Sequence, residues 1–261
     1  MVIDIHAHVY PEKIAIRAAE SIGAFYGVSM RHPGSVPELL RCMEAAGIEK
    51  ALIHSVALRP DRASTINDFI AGQASAHPQL TGYATLHPDM TENEAADEFA
   101  RAMGLGLRGV KLHNDMQKIA IDDPRMDKIY ALCQDTCPLL LHMGDSRYHY
   151  DNPAQLPGIL RRFPRLRMIG AHMGGYTEWL QAFEYLQHEN VLVDCSSSHF
   201  VLGDQGLLDA IRFFGADRVM FGTDFPMWNP AEELSHVRGL GLTADELDKV
   251  LHRNAEIYLG L

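Results

Sequence analysis

Cysteine is scarce in this chain, with four among 261 residues, at positions 42, 133, 137 and 195. They form no CxxC framework, so a disulfide scaffold is excluded, and the thiols read as reduced ones of a cytoplasmic protein. Long apolar runs are missing too. Segments such as 138–141 fall far short of the roughly 20 residues that span a bilayer, which excludes a membrane-spanning helix, and no membrane partner is expected. Positive charge is in deficit: 23 Lys and Arg stand against 34 Asp and Glu, a formal net charge of -11. No basic stripe is left to grip phosphates, so nucleic acid is not an expected partner. No leader is expected, because the residues from Met1 to His8 already read as a buried strand.

What is present suits a globular enzyme. Hydrophobic residues make up 47% and charged residues 22%, enough to bury a sizeable core. Eight short apolar runs are bounded by Gly, Pro, Asp or His: 2–8, 51–56, 80–87, 107–113, 138–142, 167–172, 191–197 and 219–224. Helical patterns separate them near 37–46, 63–77, 92–104, 123–136, 153–163, 178–188 and 204–214. A last helical region, 244–259, follows a capping box from Thr243 to Glu246. Alternating strands and helices predict βαβ units with a parallel sheet, and eight repeats predict closure into an α/β, (β/α)₈ TIM barrel. No linker or low-complexity tract divides the chain, so one domain over 1–261 is expected. Clusters such as 32–37 and 229–231 read as loops.

In such barrels side chains from several strands converge where strands end. Here those ends are polar: His6 and His8 on the first run, His87 on the third, Lys111 and His113 on the fourth, His142 on the fifth, His172 on the sixth and Asp224 on the eighth. Fourteen histidines is a high count for this length, and about half sit at these positions. Residues i and i+2 of a strand face the same way, so His6 and His8 can offer two imidazoles to one cation. Alone, the pair is equally well read as two hydrogen-bonded core histidines. With His142 and Asp224 on other strands, a metal site becomes the better reading. Nitrogen and carboxylate ligands suit Zn²⁺ first, with Mn²⁺, Fe²⁺ and Co²⁺ also compatible.

Five ordered motifs add a resemblance. The segments 3–8 (IDIHAH), 109–113 (GVKLH), 141–145 (LHMGD), 170–175 (GAHMGG) and 221–226 (FGTDFP), with the closing Asn254-Ala255, are similar to the amidohydrolase superfamily, in particular its amidohydrolase-2 branch. The resemblance spans essentially the whole chain. It implies that His6, His8 and His142 bind a metal, and that Asp224 binds it or takes a proton from its water. His172 would be the general acid/base, or a ligand where a second ion is present. A second ion would require carboxylation of Lys111, as in dihydroorotases with a similar Lys-Leu string; the plainer role is an ammonium that binds a substrate carboxylate beside His113. One departure is Asn114, where the resemblance to that branch implies proline.

A bound divalent cation lowers the pKa of water from 15.7 to about 7 and polarises carbonyls. Hydrolysis of a small amide, lactone or ester is therefore the first expectation, with Asp224 and His172 moving protons. Non-oxidative decarboxylation of a small carboxylic acid, known in the same branch, is the second. A barrel retained only as a binding scaffold is the third, and five convergent metal-type residues argue against it. Arg147 and Tyr148, in a loop rich in hydrogen-bonding groups, are expected to line the substrate pocket. The connection 9–37 would form a lid or pack a barrel flank. Ser196, Ser197 and Ser198 read as pocket lining, without a nucleophile elbow, and His54 reads as a core histidine. An exposed barrel flank predicts pairing into a homodimer.

Overall fold

Every residue from Val2 to Ala7 is buried, and the strand they build, β1 (Ile3–His8), anchors the first parallel ladder. The computed structural model describes all residues from Met1 to Leu261. After β1 come α1 (Glu12–Tyr26), α2 (Val36–Ala46), β2 (Lys50–His54), α3 (Ala63–Ala76), β3 (Leu80–Gly82) and α4 (Glu92–Gly104). Then follow β4 (Val110–Leu112), α5 (Asn114–Gln117), α6 (Asp127–Cys133), β5 (Leu139–Leu141), α7 (Leu156–Arg162), β6 (Met168–Gly170) and α8 (Trp179–Leu186). The chain ends with β7 (Val191–Asp194), α9 (Ser198–Phe214), β8 (Val219–Met220), α10 (Pro230–Gly239), α11 (Ala244–Asp248) and α12 (Asn254–Leu259). No helix is long and apolar enough to cross a membrane.

These elements gather into two compact units. The first comprises Met1–Ser55, Gln73–Thr81 and Cys195–Leu261; the second comprises Val56–Gly72 and Gly82–Asp194. In the first, β1 pairs in parallel with β2, from Ile3 opposite Lys50 to His8 opposite His54, with a bulge between Asp4 and Ala7. On its other side β1 meets the segment that follows β8. Ile5 N–H donates to Phe221 O at 3.0 Å, Asp224 N–H to His6 O at 2.8 Å and His8 N–H to Phe225 O at 2.7 Å. Asp4 ties the two segments: its carboxylate accepts from the backbone N–H of His6 and Thr223, both at 3.0 Å, and from Thr223 Oγ1 at 2.6 Å.

In the second unit β4, β5, β6 and β7 run parallel in that order, with Val110 opposite Leu139, Leu139 opposite Met168 and Met168 opposite Val191. Leu139, Leu140 and Leu141 are all buried, as a parallel strand covered on both faces requires.

Helix boundaries follow local chemistry. Thr91 with Glu94, and Thr243 with Glu246 as the sequence predicts, form capping boxes that satisfy N-terminal donors. Two helices depart from the sequence reading. The first connection holds α1, fifteen residues long and ended by Gly27 in the left-handed region, at φ 70°. The Pro-containing cluster at 229–231 is a helix start, in which Asn229 caps α10 and Pro230 takes the first position. Strands are also shorter than predicted. The third ends at Gly82 and the eighth at Met220, so His87 and Asp224 stand on the loops that follow.

Candidate functional site

In the first unit the predicted ligands from β1 and the β8 loop meet. His6 is fully buried and His8 partly so. Their Nε2 atoms lie 3.3 Å apart, and each is 3.5 Å from Asp224 Oδ1. Two nitrogen or oxygen ligands held about 2.1 Å from a tetrahedral Zn²⁺ stand about 3.4 Å apart. The triangle therefore has the size of one face of a first-row metal's coordination shell.

The outer atoms of these ligands are also held. His6 Nδ1 lies 3.1 Å from Ser196 Oγ, which fixes the ring's orientation. Asp224 has positive φ, 54°, and its Oδ2 accepts from Ser197 Oγ at 2.6 Å. Trp228 Nε1 donates in turn to Ser197 Oγ at 2.8 Å. The sequence reads the serines as pocket lining; in the structure Ser196 and Ser197 hydrogen-bond to His6 and Asp224. The sequence also reads His54 as a core histidine. The His54 ring stands edge-on to both neighbours, 5.0 Å from His6 and 4.4 Å from His8, so three imidazoles share this end of the unit. The signal for His54 was its place at the end of a strand beside β1.

The second unit brings together His113, His142 and His172. His142 Nδ1 lies 3.0 Å from His172 Nε2, and the His113 ring stacks on that of His142 at 3.9 Å with 12° between planes. His172 occupies the left-handed region at φ 59°, with its backbone N–H donating to Asp194 Oδ1 at 3.1 Å. Lys111, in β4, is completely buried. His87 is a turn residue, whose Nδ1 accepts from Asp89 N–H at 3.1 Å. Arg147 is engaged by its own loop: Nε and Nη2 clasp Asp145 Oδ1 and Oδ2 at 3.0 and 2.6 Å, and its guanidinium lies over the Tyr148 ring at 5.3 Å.

Sequence reasoning missed an acidic pair in this unit. Asp115 Oδ2 stands 3.7 Å from His142 Nε2, and the buried Asp115 and Asp151 carboxyls are near enough to perturb each other. Burial, reinforced by the Asp145 charge, pushes Asp115 up to about 7, and burial beside Asp115 pushes Asp151 well above the usual carboxylate range. Asp151 stays anchored by the Gly144 backbone N–H at 3.0 Å.

A family model described as amidohydrolase, that of the amidohydrolase-2 branch, matches residues 3–261. A γ-resorcylate decarboxylase of a Polaromonas strain is 26% identical over 226 residues, covering 65% of this chain and 67% of its own. A TIM-barrel protein from Bordetella bronchiseptica matches at a TM-score of 0.78 and 23% identity, over 99% of this chain and 98% of that one. A dihydroxybenzoic acid decarboxylase from Polaromonas, crystallised with manganese and the inhibitor 2-nitroresorcinol, matches at 0.76 and 20% identity, over 100% and 97%. These likenesses assign the fold class expected from the sequence, the (β/α)₈ TIM barrel. With the matched model spanning all but the first two residues, the chain belongs to the amidohydrolase family, in its amidohydrolase-2 branch.

Proposed function

We propose that the chain is a metal-dependent, non-oxidative decarboxylase of a hydroxylated aromatic carboxylic acid, working as one domain over residues 1–261. The observation that carries the metal dependence is the His6, His8 and Asp224 triangle. Decarboxylation, the second expectation from the sequence, moves ahead of hydrolysis because two of the matched proteins, a γ-resorcylate and a dihydroxybenzoic acid decarboxylase, break a bond between ring carbon and carboxylate.

His6, His8 and Asp224 would hold the cation, with His142 as the further ligand that family membership implies. Two imidazoles and a carboxylate suit Zn²⁺ and also Mn²⁺, the ion in the Polaromonas structure. When bound, the cation supplies fixed positive charge for the substrate's oxygens. Lys111 and His113 are assigned to the substrate, the lysine as an ammonium that would bind the acid's carboxylate with His113 beside it. Arg147 and Tyr148 are assigned to the outer wall of the pocket. In the reaction the carbon–carboxylate bond breaks, its electron pair stays on the ring carbon as carbon dioxide leaves, and that carbon takes a proton. His172 and Asp224 are the groups assigned to hold and deliver it. Four buried free thiols fit a reducing, cytoplasmic setting.

The test is turnover in D₂O. Protein loaded with Mn²⁺ or Zn²⁺ is given γ-resorcylate and related hydroxybenzoates. The expected result is carbon dioxide and a phenol carrying one deuterium where the carboxylate was. Silence with every such acid, alongside ¹⁸O uptake from labelled water into the products of an amide, lactone or ester, would replace this reading with hydrolysis.

A further inference from the structure

Away from the β1 histidines, the first unit holds a second group of metal-type side chains. His32, Glu38 and Cys42 come from the loop ahead of α2 and from α2 itself, where Glu38 and Cys42 are four residues apart and share a face. His32 Nδ1 lies 2.8 Å from Glu38 Oε1 and 3.7 Å from Cys42 Sγ, and Sγ lies 3.9 Å from Glu38 Oε1. In a tetrahedral zinc site, nitrogen and oxygen ligands stand about 3.4 Å apart, and sulfur stands about 3.6 Å from either. Shifts of about half an ångström would satisfy all three distances.

The group is shielded but reachable. Cys42 is buried, and the His32 and Glu38 side chains are 9% and 20% exposed. The lid over Glu38 is Arg41, whose 63% exposed side chain makes the 2.7 Å contact and can swing into solvent. Cysteine, histidine and glutamate also evoke a nucleophilic triad, but the environment opposes that role. Burial and the Glu38 carboxylate push the Cys42 thiol up to about 11, the reverse of an activated thiolate. A divalent cation overcomes this penalty by direct bonding to sulfur: the S–H bond breaks, the S–metal bond forms and one proton leaves to solvent.

We propose that His32, Glu38 and Cys42 form a second, thiolate-containing zinc site, with water as the fourth ligand, that pins the loop between α1 and α2. That loop packs on the segment carrying Asp224. The backbone N–H groups of Arg31 and His32 both donate to Pro226 O at 3.2 Å, and the His32 ring stacks on Phe225 at 5.4 Å with 26° between planes. Zinc here fixes the outer side of the turn whose inner side presents Asp224, without itself facing the reaction.

Cobalt substitution separates this site from the β1 site, because His6, His8 and Asp224 contain no sulfur. Metal-free full-length protein titrated with Co²⁺ is expected to develop a near-ultraviolet thiolate-to-cobalt charge-transfer band. The band disappears in Cys42→Ser and persists in a His6→Ala/His8→Ala variant. Glu38→Gln, which keeps the thiol, retains the band but weakens the affinity at least tenfold. Zinc raises the melting temperature of the His6→Ala/His8→Ala variant and has no such effect once Cys42→Ser is added. No charge-transfer band at saturating Co²⁺, or a band that survives in Cys42→Ser, overturns the proposal.

Discussion

Ser197 Oγ donates a 2.6 Å hydrogen bond to Asp224 Oδ2, the carboxylate oxygen opposite the one that faces His6 and His8. The serine is held in turn by Trp228 Nε1 at 2.8 Å and has a left-handed backbone, φ 55°. A carboxylate turned by even a few tens of degrees would no longer share a triangle with the two imidazoles. The hydroxyl thus defines which oxygen is presented.

Ser197→Ala should therefore weaken metal binding while leaving every proposed ligand in place. Outer hydrogen-bond partners of metal ligands typically contribute a factor of about 10–100 in affinity. Competition titration of Mn²⁺ or Zn²⁺ against a chelating dye measures it. An unchanged dissociation constant would remove Ser197 from the metal site.

Asp4 has a purely structural assignment. It accepts from three donors that are themselves buried, on two chain segments more than two hundred residues apart. Asp4→Ala strands those donors, and each buried unsatisfied group costs about 1–3 kcal/mol. The expected loss is about 3 kcal/mol or more in urea unfolding of the metal-free protein. Asp4→Asn keeps an acceptor oxygen and should lose clearly less. Equal losses for the two would mean that side-chain volume, not the hydrogen bonds, matters.

What the sequence made legible, and what it hid, divides along physical lines. His6, His8 and Asp224 were readable because strand alternation puts i and i+2 on one face and because polar residues at strand ends stand out against apolar runs. Helix α1 was hidden because its buried face is made of Ala15, Ala19 and Gly23, while Ile14 and Ile16 are 40% and 62% exposed; a search for large apolar residues at helical spacing looks at the wrong side. Asn229-Pro230 carried a helix-start signal that was read as a loop. The Asp115 and Asp151 pair was beyond reach, since thirty-five intervening residues must fold before the two carboxyls meet. Ser197 could be placed near the site, but its bond to Asp224 depends on the positive φ of both residues, which no pattern of residue types announces.

His172 provides a check on the chemistry that leaves the metal aside. Because its φ is 59°, the replacement must tolerate the left-handed region, which asparagine does better than most residues. His172→Asn is expected to retain the wild-type metal content and melting temperature within a few degrees. Its kcat for decarboxylation should fall by about 10²–10⁴, the usual contribution of a positioned acid or base. Loss of metal along with activity would make His172 a ligand instead.

Lys111 discriminates between one ion and two. As an unmodified ammonium it cannot bridge a pair of cations, so the expected stoichiometry at the β1 site is one ion per chain. Native mass spectrometry of Cys42→Ser, which lacks the thiolate site, counts that ion alone. An intact mass without the added carboxylate on lysine would accompany it. Two ions in this variant, together with carboxylated Lys111, would convert the site to a two-metal one.

Glu233 makes the stability of the metal-free protein pH-dependent. Burial, with the nearby charges of Asp224, Glu232 and Asp4, pushes its carboxyl from the ordinary 4.5 up to about 8. Below 4.5 the folded and unfolded chains both hold this proton. Between 4.5 and 8 only the folded chain does, so raising the pH draws the equilibrium toward the unfolded state. The contribution is thus present in acid and lost as pH climbs through 8, with a slope of at most about 1.4 kcal/mol per pH unit. Glu233→Gln, which cannot ionise, should flatten that part of the curve. The variant should gain stability over the wild type steadily from pH 5 to pH 8 in urea titrations. Because a cation beside Asp224 would offset the neighbouring negative charge, the difference should shrink when metal is added. Parallel stability curves for the two metal-free proteins would show that Glu233 is already ionised in the folded state.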